Sequence, residues 1–413
     1  MSSASSLALA VVIAALALPT LSVAATGRGV APYQKLSLND QFFSEGATFG
    51  DLNKDGHLDA ISGPYWWAGP DFKTRHQYAP AVPWDPLRYS DSFFAFTHDF
   101  NGDGWNDIFI IGFPGVDGSW YLNPGDKDGH WRRYVVFFPV DNESPTFGRL
   151  LGDDKAPVLI CMSRGRIGYA TWDPKNPGTP WVFHPISPQG PWARFTHGLG
   201  WGDVNGDGRH DILEKDGWWE QPESLKGDPE WKQHKFAFSG VGPTARGGAQ
   251  MYVYDVNNDG RNDVIASINA HTFGLSWYEN VRAPDGGITF KEHPITSRKE
   301  EEKLGGIQFG QPHAIDLADF DGDGLLDILT GKRWWAHGPT GDVQPNAAPV
   351  LYAFLLRREA GGVRFEPQLI NDNTGVGTQV VAADVNRDGR PDIIVGNKRG
   401  TAVLLSAQPA AKK

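Results

Sequence analysis

The chain has 413 residues, a formal net charge of −11 and one cysteine, Cys161. A lone thiol excludes an intrachain disulfide, and the acidity excludes nucleic acid and anionic membrane surfaces as partners. Fifty Gly, 30 Pro and 16 Trp with few long apolar runs predict many short strands joined by tight turns, an all-β class.

The first element is residues 1–25, with an apolar run from Leu7 to Leu18 and small residues at Ser22, Ala24 and Ala25. It reads as a Sec-type export signal cleaved after Ala24 or Ala25, too short for a comfortable membrane span. No Lys or Arg precedes the run, the first being Arg28, so an uncleaved anchor is the competing reading. A secreted or periplasmic mature chain is expected, not membrane-spanning after cleavage, and monomeric.

From Asp51 onward one phrase recurs six times: Asp, any residue, Asn or Asp, any residue, Asp-Gly, two residues, Asp. The copies supply Asp51, Asn53, Asp55 and Asp59; Asp99, Asn101, Asp103 and Asp107; Asp203, Asn205, Asp207 and Asp211; Asp255, Asn257, Asp259 and Asp263; Asp319, Asp321, Asp323 and Asp327; and Asp384, Asn386, Asp388 and Asp392. Oxygens at positions 1, 3, 5 and 9, with the position-7 carbonyl, can wrap a hard cation, so up to six structural Ca2+ ions are expected. The position-6 Gly permits the sharp turn. Six divalent ions would add +12 and bring the loaded chain close to neutral, so the acidity is mostly metal ligand. Helical calcium loops are the competitor, but the flanks are β-patterned and only one copy has an acid at position 12, Glu214.

The intervals between copies are 48, 104, 52, 64 and 65 residues, which points to a repeat architecture with one copy hidden in the longest gap. That copy is Ser144-Pro-Thr-Phe-Gly-Arg149, matching Gly46-Ala-Thr-Phe-Gly-Asp51; Arg149, Leu151 and Pro157 replace ligands one, three and nine. Seven units result. In each, an apolar strand precedes the loop and another follows it. Aromatic pairs (Tyr65-Trp66-Trp67, Trp120-Tyr121, Trp218-Trp219, Trp277-Tyr278, Trp334-Trp335) mark a third strand, and segments such as ITFKEHPIT a fourth. Four strands repeated seven times predict a seven-bladed β-propeller over residues 32–406. The last unit lacks a fourth strand, and Tyr33–Asp40 resembles Phe365–Asp372, so the N-terminal strand is expected to complete the last blade and hide its edge. Residues 68–90, 281–308 and 336–350 are expected as rim insertions, and 407–413 as a flexible tail.

These loops resemble those of the FG-GAP/VCBS repeat family, the calcium-bearing propellers typified by the head of integrin α chains. Phe49-Gly50 and Phe147-Gly148 keep the Phe-Gly signature before the loop. The resemblance implies the propeller fold and calcium; the family spans adhesion, ligand binding and some enzymes, so it leaves function open.

Six residues before each loop stand Glu45, Phe93, Glu143, His197, Ala249, His313 and Thr378, with Gln250 and Gln379 one place later. Equivalent positions on innermost strands form a ring, here toward the mouth opposite the loops. Four places on, Phe49, Phe147, Trp201, Val253 and Leu317 make a greasy plug. A polar channel lining without a role is the bland reading. Paired His and Glu at one register supply acid, base and metal-ligand options together. No Ser-His-Asp motif, phosphate loop or nucleotide fingerprint appears, so proton abstraction is the expected chemistry. His197 or His313 would be the base, and Glu45 or Glu143 the acid or orienting partner. The substrate would be a carbohydrate or small polyol held by Gln250 and Gln379, in an elimination or dehydration needing no organic cofactor. A second metal, held by two His and a Glu in the mouth, is an alternative. The pattern is faintly similar to the propeller of aldos-2-ulose dehydratases, and no residue role is carried over from it.

The repeated aromatic pairs are expected to be inter-blade packing. Trp84 and Trp192, which are not repeated, are the better candidates for stacking on a sugar. His98 is expected to pack locally. The alternative function is a non-catalytic adhesion or scaffolding module that binds a glycan or protein at the insertion-bearing rim.

Overall fold

The computed structural model describes residues 29–127, 129–240 and 246–407. The expected export signal and nearly all of the expected tail lie outside these residues. Among them there are 28 strands, one 3-10 turn at Leu304–Gly306 and no α-helix. Among the described residues no helix is long and apolar enough to cross a membrane. The strands form five four-stranded sheets and one eight-stranded sheet in a β-propeller arrangement.

Each unit is an antiparallel meander, as in Ala47–Gly50, Asp59–Ser62, Tyr65–Trp67 and Arg75–Gln77. The second strands, such as Asp327–Gly331, are buried along their whole length. Neighbouring units cover both of their faces, so the sequence shows a short continuous apolar run and not alternation. First strands of successive units touch one another, and Val380–Ala383 of the last touches Ala47–Gly50 of the first. The backbone is tightest there: a Cβ at Gly377 would lie 1.8 Å from the Glu45 carbonyl oxygen. Tyr33–Asn39 pairs antiparallel with Gly400–Ser406.

The repeated aromatics pack. Trp66, Trp218 and Trp277 stack on His76, His234 and His293 of the adjacent fourth strands at 3.9, 4.0 and 4.2 Å. His234 and His293 then hydrogen-bond Glu220 and Glu279 at 2.7 and 2.8 Å. His98 sits edge-on to Phe100, Phe147 and Trp172.

Three local expectations need correction. Residues 68–90 are not one insertion, since Arg75–Gln77 is the fourth strand of its unit. Trp334-Trp335 lies in a connection, and the third strand of its unit is Leu351–Glu359. The aromatic pair was misleading because the apolar run that forms the strand comes after a 336–350 excursion. Residues 281–308 are not one insertion either, since Ile288–Thr296 is the fourth strand of its unit and only 297–308 connects units.

The loops share one geometry. Position-9 carboxylates Asp59, Asp107, Asp211, Asp263, Asp327 and Asp392 are fully buried. Each accepts a backbone N–H from position 2 on one oxygen, as from Leu52 to Asp59 at 2.7 Å. The other oxygen accepts from the end of the third strand or just beyond it, as from Gly69 at 2.9 Å. These Asp residues therefore staple loop to sheet. Each oxygen keeps a second lone pair for a cation. Gly56, Gly104, Gly208, Gly260, Gly324 and Gly389 all have φ between 80° and 86°, the left-handed region the turn requires. The donor set is all oxygen, and Asp51 Oδ1 is buried without a hydrogen-bond partner, so the loops fit Ca2+. Bound there, the ion would supply a rigid cross-link and no chemistry.

In the degenerate third loop the Arg149 guanidinium donates to the carbonyls of Asp153 and Lys155 at 2.8 and 2.6 Å. These are positions 5 and 7, so a side-chain cation serves the carbonyl that a metal would take in the other six.

Candidate functional site

The Asp loops join first to second strands. Antiparallel pairing therefore places the approach to each first strand, and each second-to-third connection, at the opposite end of the sheets. A cavity of about 510 Å3 opens at that end. Tyr89, Phe113, Trp192 and Phe195 form apolar walls, and Glu143, His197, His271, Arg333 and His337 supply polar groups.

Its floor is a connected network. Arg333, fully buried, donates Nη2 to Glu45 Oε2 at 2.8 Å and brings Nη1 to 3.7 Å from Glu143 Oε2. Lys398 Nζ lies 3.8 Å from Glu45 Oε1. Glu143 Oε2 is also 3.7 Å from His197 Nε2, whose nearest imidazole partner is His271 Nε2 at 3.0 Å. His313 packs edge-on to both rings, its centroid 5.4 Å from His197 and 4.7 Å from His271. Asp342 Oδ1 takes His337 Nδ1 at 3.0 Å and faces His271 Nδ1 at 3.3 Å.

Burial sets the charges. It pushes the Glu143 carboxyl up against the opposing pull of Arg333, and pushes His197 and His313 well below the usual imidazole range. Burial also raises Asp342, but His271 and His337 outweigh it and hold that carboxyl well below its ordinary value. The floor therefore combines a carboxyl whose basicity burial raises with imidazoles whose protonation burial disfavours, a pairing suited to moving a proton.

Of the residues singled out by register, Glu143 and His197 line the cavity and His313 lies against its floor. Glu45 is at the same register but is turned away, as the counter-ion of Arg333 and Lys398. Gln250 and Gln379 do not line the cavity. The Gln250 amide spans the Thr378 carbonyl and the Ile315 N–H, and that of Gln379 takes both backbone groups of Ala95. Each amide thus ties one unit to another, with its oxygen and one N–H engaged in main-chain bonds. Trp192 lines the cavity, edge-on to Trp219 at 5.6 Å, whereas Trp84 lines a different cavity of about 720 Å3.

His271, Arg333, His337 and Asp342 were not found from the sequence. They sit in second-to-third connections, which have no fixed offset from the Asp loop. The signal present was length: 268–274 and 332–350 are longer than the tight turns of other units.

The chain carries FG-GAP repeats. The family described as FG-GAP-like repeat matches residues 255–330, and FG-GAP repeat matches residues 376–408. No curated protein matches the chain. Among solved structures, a lectin of Agrocybe aegerita that recognises non-reducing terminal N-acetylglucosamine is similar at 14% identity, covering 92% of this chain and 86% of its own, with TM-score 0.47. A putative 6-phosphogluconolactonase from Bacteroides fragilis is 12% identical over 81% and 82%, TM-score 0.43. An auxiliary nutrient binding protein from Bacteroides ovatus is 8% identical over 92% and 78%, TM-score 0.47. At these values the three likenesses carry no argument about ligand or reaction.

Proposed function

We propose that this is an exported, calcium-stabilised, seven-bladed propeller that binds a carbohydrate in the cavity opposite its Asp loops and acts on it by proton abstraction, as a lyase or dehydratase. The observation that carries the reading is the cavity itself, in which aromatic walls stand over the Glu143–His197–Arg333 floor. Its volume is of ligand size. Aromatic faces suit the C–H faces of a sugar ring, and the polar floor suits its hydroxyls. Glu143 takes up the C–H proton and returns it to the departing oxygen as water leaves: it faces the cavity, and burial raises its carboxyl, which makes the carboxylate a stronger base. Trp192 supplies a stacking wall.

Support for seven blades comes from the eight-stranded sheet, whose halves are joined only by Leu199-Gly200 against Gln250-Met251 in parallel pairing. Counted as two four-stranded blades, it brings five to seven. The Tyr33–Asn39 strand, paired on Gly400–Ser406, supports closure of the last blade by the N-terminal segment. Export rests on residues 1–25 as read from the sequence.

A screen of oligosaccharides for unsaturated or dehydrated products tests the assignment. Glu143→Gln should lower turnover about 10²–10⁴-fold and leave Tm nearly unchanged. Full activity in that variant would remove Glu143 from the chemistry. The alternative, a non-catalytic adhesion module, draws on the separate cavity at the half-exposed Trp84. It predicts no turnover of any sugar, and binding that is lost on Trp84→Ala or on trimming residues 297–308.

A further inference from the structure

His197, His271 and His313 come from three successive units. His197 and His313 stand six residues before the loops at Asp203 and Asp319, and His271 belongs to the unit between them. Each offers a ring nitrogen, and the three nitrogens lie within 4.8 Å of one another. All three imidazoles are at least largely buried. His313 is 2% exposed and neither of its ring nitrogens has a hydrogen-bond partner. Two orphaned polar atoms on one core side chain are costly, and in a folded protein they call for an explanation.

We propose that His197, His271 and His313 bind one divalent transition-metal ion of the Zn2+ class, with its remaining coordination position open to the cavity. Imidazole nitrogens about 2.0–2.1 Å from a tetrahedral ion sit about 3.3 Å apart, and the His197 and His271 Nε2 atoms are already 3.0 Å apart. Asp342 Oδ1 lies 3.3 Å behind His271 Nδ1 without hydrogen-bond geometry as the ring stands; a small turn of the ring onto the metal would complete the carboxylate–histidine arrangement that fixes a ligand's tautomer. Three nitrogen donors select this class over the hard cation of the Asp loops. Arg333, a buried cation of the same floor, is offset by Glu45 and Glu143 and does not bar a second positive charge. A three-His site with an open position is the catalytic form of zinc coordination, and here that position faces the space bounded by Glu143. The ion would polarise a bound sugar oxygen while Glu143 moves the proton. That last step rests on the lyase reading; the metal site does not.

The test uses the full chain, stripped with chelator and held in excess Ca2+ so that the loops are saturated, then titrated with Zn2+ and with Co2+. One tight site per chain is expected, together with the visible absorption of tetrahedral, nitrogen-bound Co2+. That spectrum should vanish in His271→Ala and in His313→Ala. Asp342→Asn should weaken Zn2+ binding about 10–100-fold while keeping the fold, which guards against a His variant that fails to fold. No Zn2+ binding by the wild-type chain under Ca2+ would overturn the proposal, as would unchanged binding in the two His variants. Turnover that depends on Glu143 without any metal would remove the ion and keep the lyase reading. Tight metal without turnover would do the reverse.

Discussion

The two ends of this molecule are built on opposite rules. At the loop end one solution is used six times, each with the same ligand spacing, the same left-handed Gly and the same buried Asp staple. Where the solution fails, in the third unit, Arg149 supplies a positive charge of its own. At the mouth the groups differ from unit to unit: two Glu, four His, an Arg, a Lys and an Asp converge from elements of different lengths. Repetition serves a task that every blade shares, holding its first two strands together. Convergence of unlike groups serves a task that only one point in space performs, and chemistry requires that.

Removing calcium should give the largest effect, and should break the comparison if the loops are not structural. An ion held at 100 times its Kd stabilises the folded chain by about 2.7 kcal/mol, so six together exceed any single substitution. Chelation should lower Tm steeply, and Ca2+ should restore it. An unchanged melting curve would overturn the loop reading.

Next in size is the buried charge network under the mouth. Arg333→Met leaves Glu45 buried with Lys398 at 3.8 Å as its remaining partner, a change worth about 3–5 kcal/mol when one member of a buried pair is removed. Chemical denaturation should record that loss. A loss below 1 kcal/mol would mean that Glu45 is well served without Arg333.

The smallest effect sharpens the contrast between the loops. Arg149→Ala removes two hydrogen bonds to carbonyls and should cost about 1–3 kcal/mol, whether or not Ca2+ is present. In a loop that keeps every ligand position, such as the one at Asp203, Asp203→Ala should cost more with Ca2+ than without it. Equal calcium dependence in the two variants would show that the third loop still holds an ion.

The sequence made the loop end legible because its information is periodic. Counting back from each Asp also placed Glu143, His197 and His313 at one register, and the structure puts them around one cavity floor. The same count gave Glu45, Gln250 and Gln379, whose backbone positions are equivalent but whose side chains are spent on Arg333, Lys398 and neighbouring main chain. Register fixes where a side chain starts and says nothing about where a long one ends. His271 and Asp342 were hidden for the complementary reason: they ride on connections whose lengths differ from unit to unit. Trp334-Trp335 misled because an aromatic pair marks a third strand only when the connection before it is short.

The central claim is that ligand recognition belongs to the mouth and not to the loop end or the Trp84 rim. Crystals soaked with oligosaccharides test it most directly. Sugar density stacked on Trp192, with a hydroxyl or ring oxygen in reach of Glu143, is the predicted result. Density confined to the Trp84 cavity or to the Asp loops, with the His197 mouth empty, would contradict it.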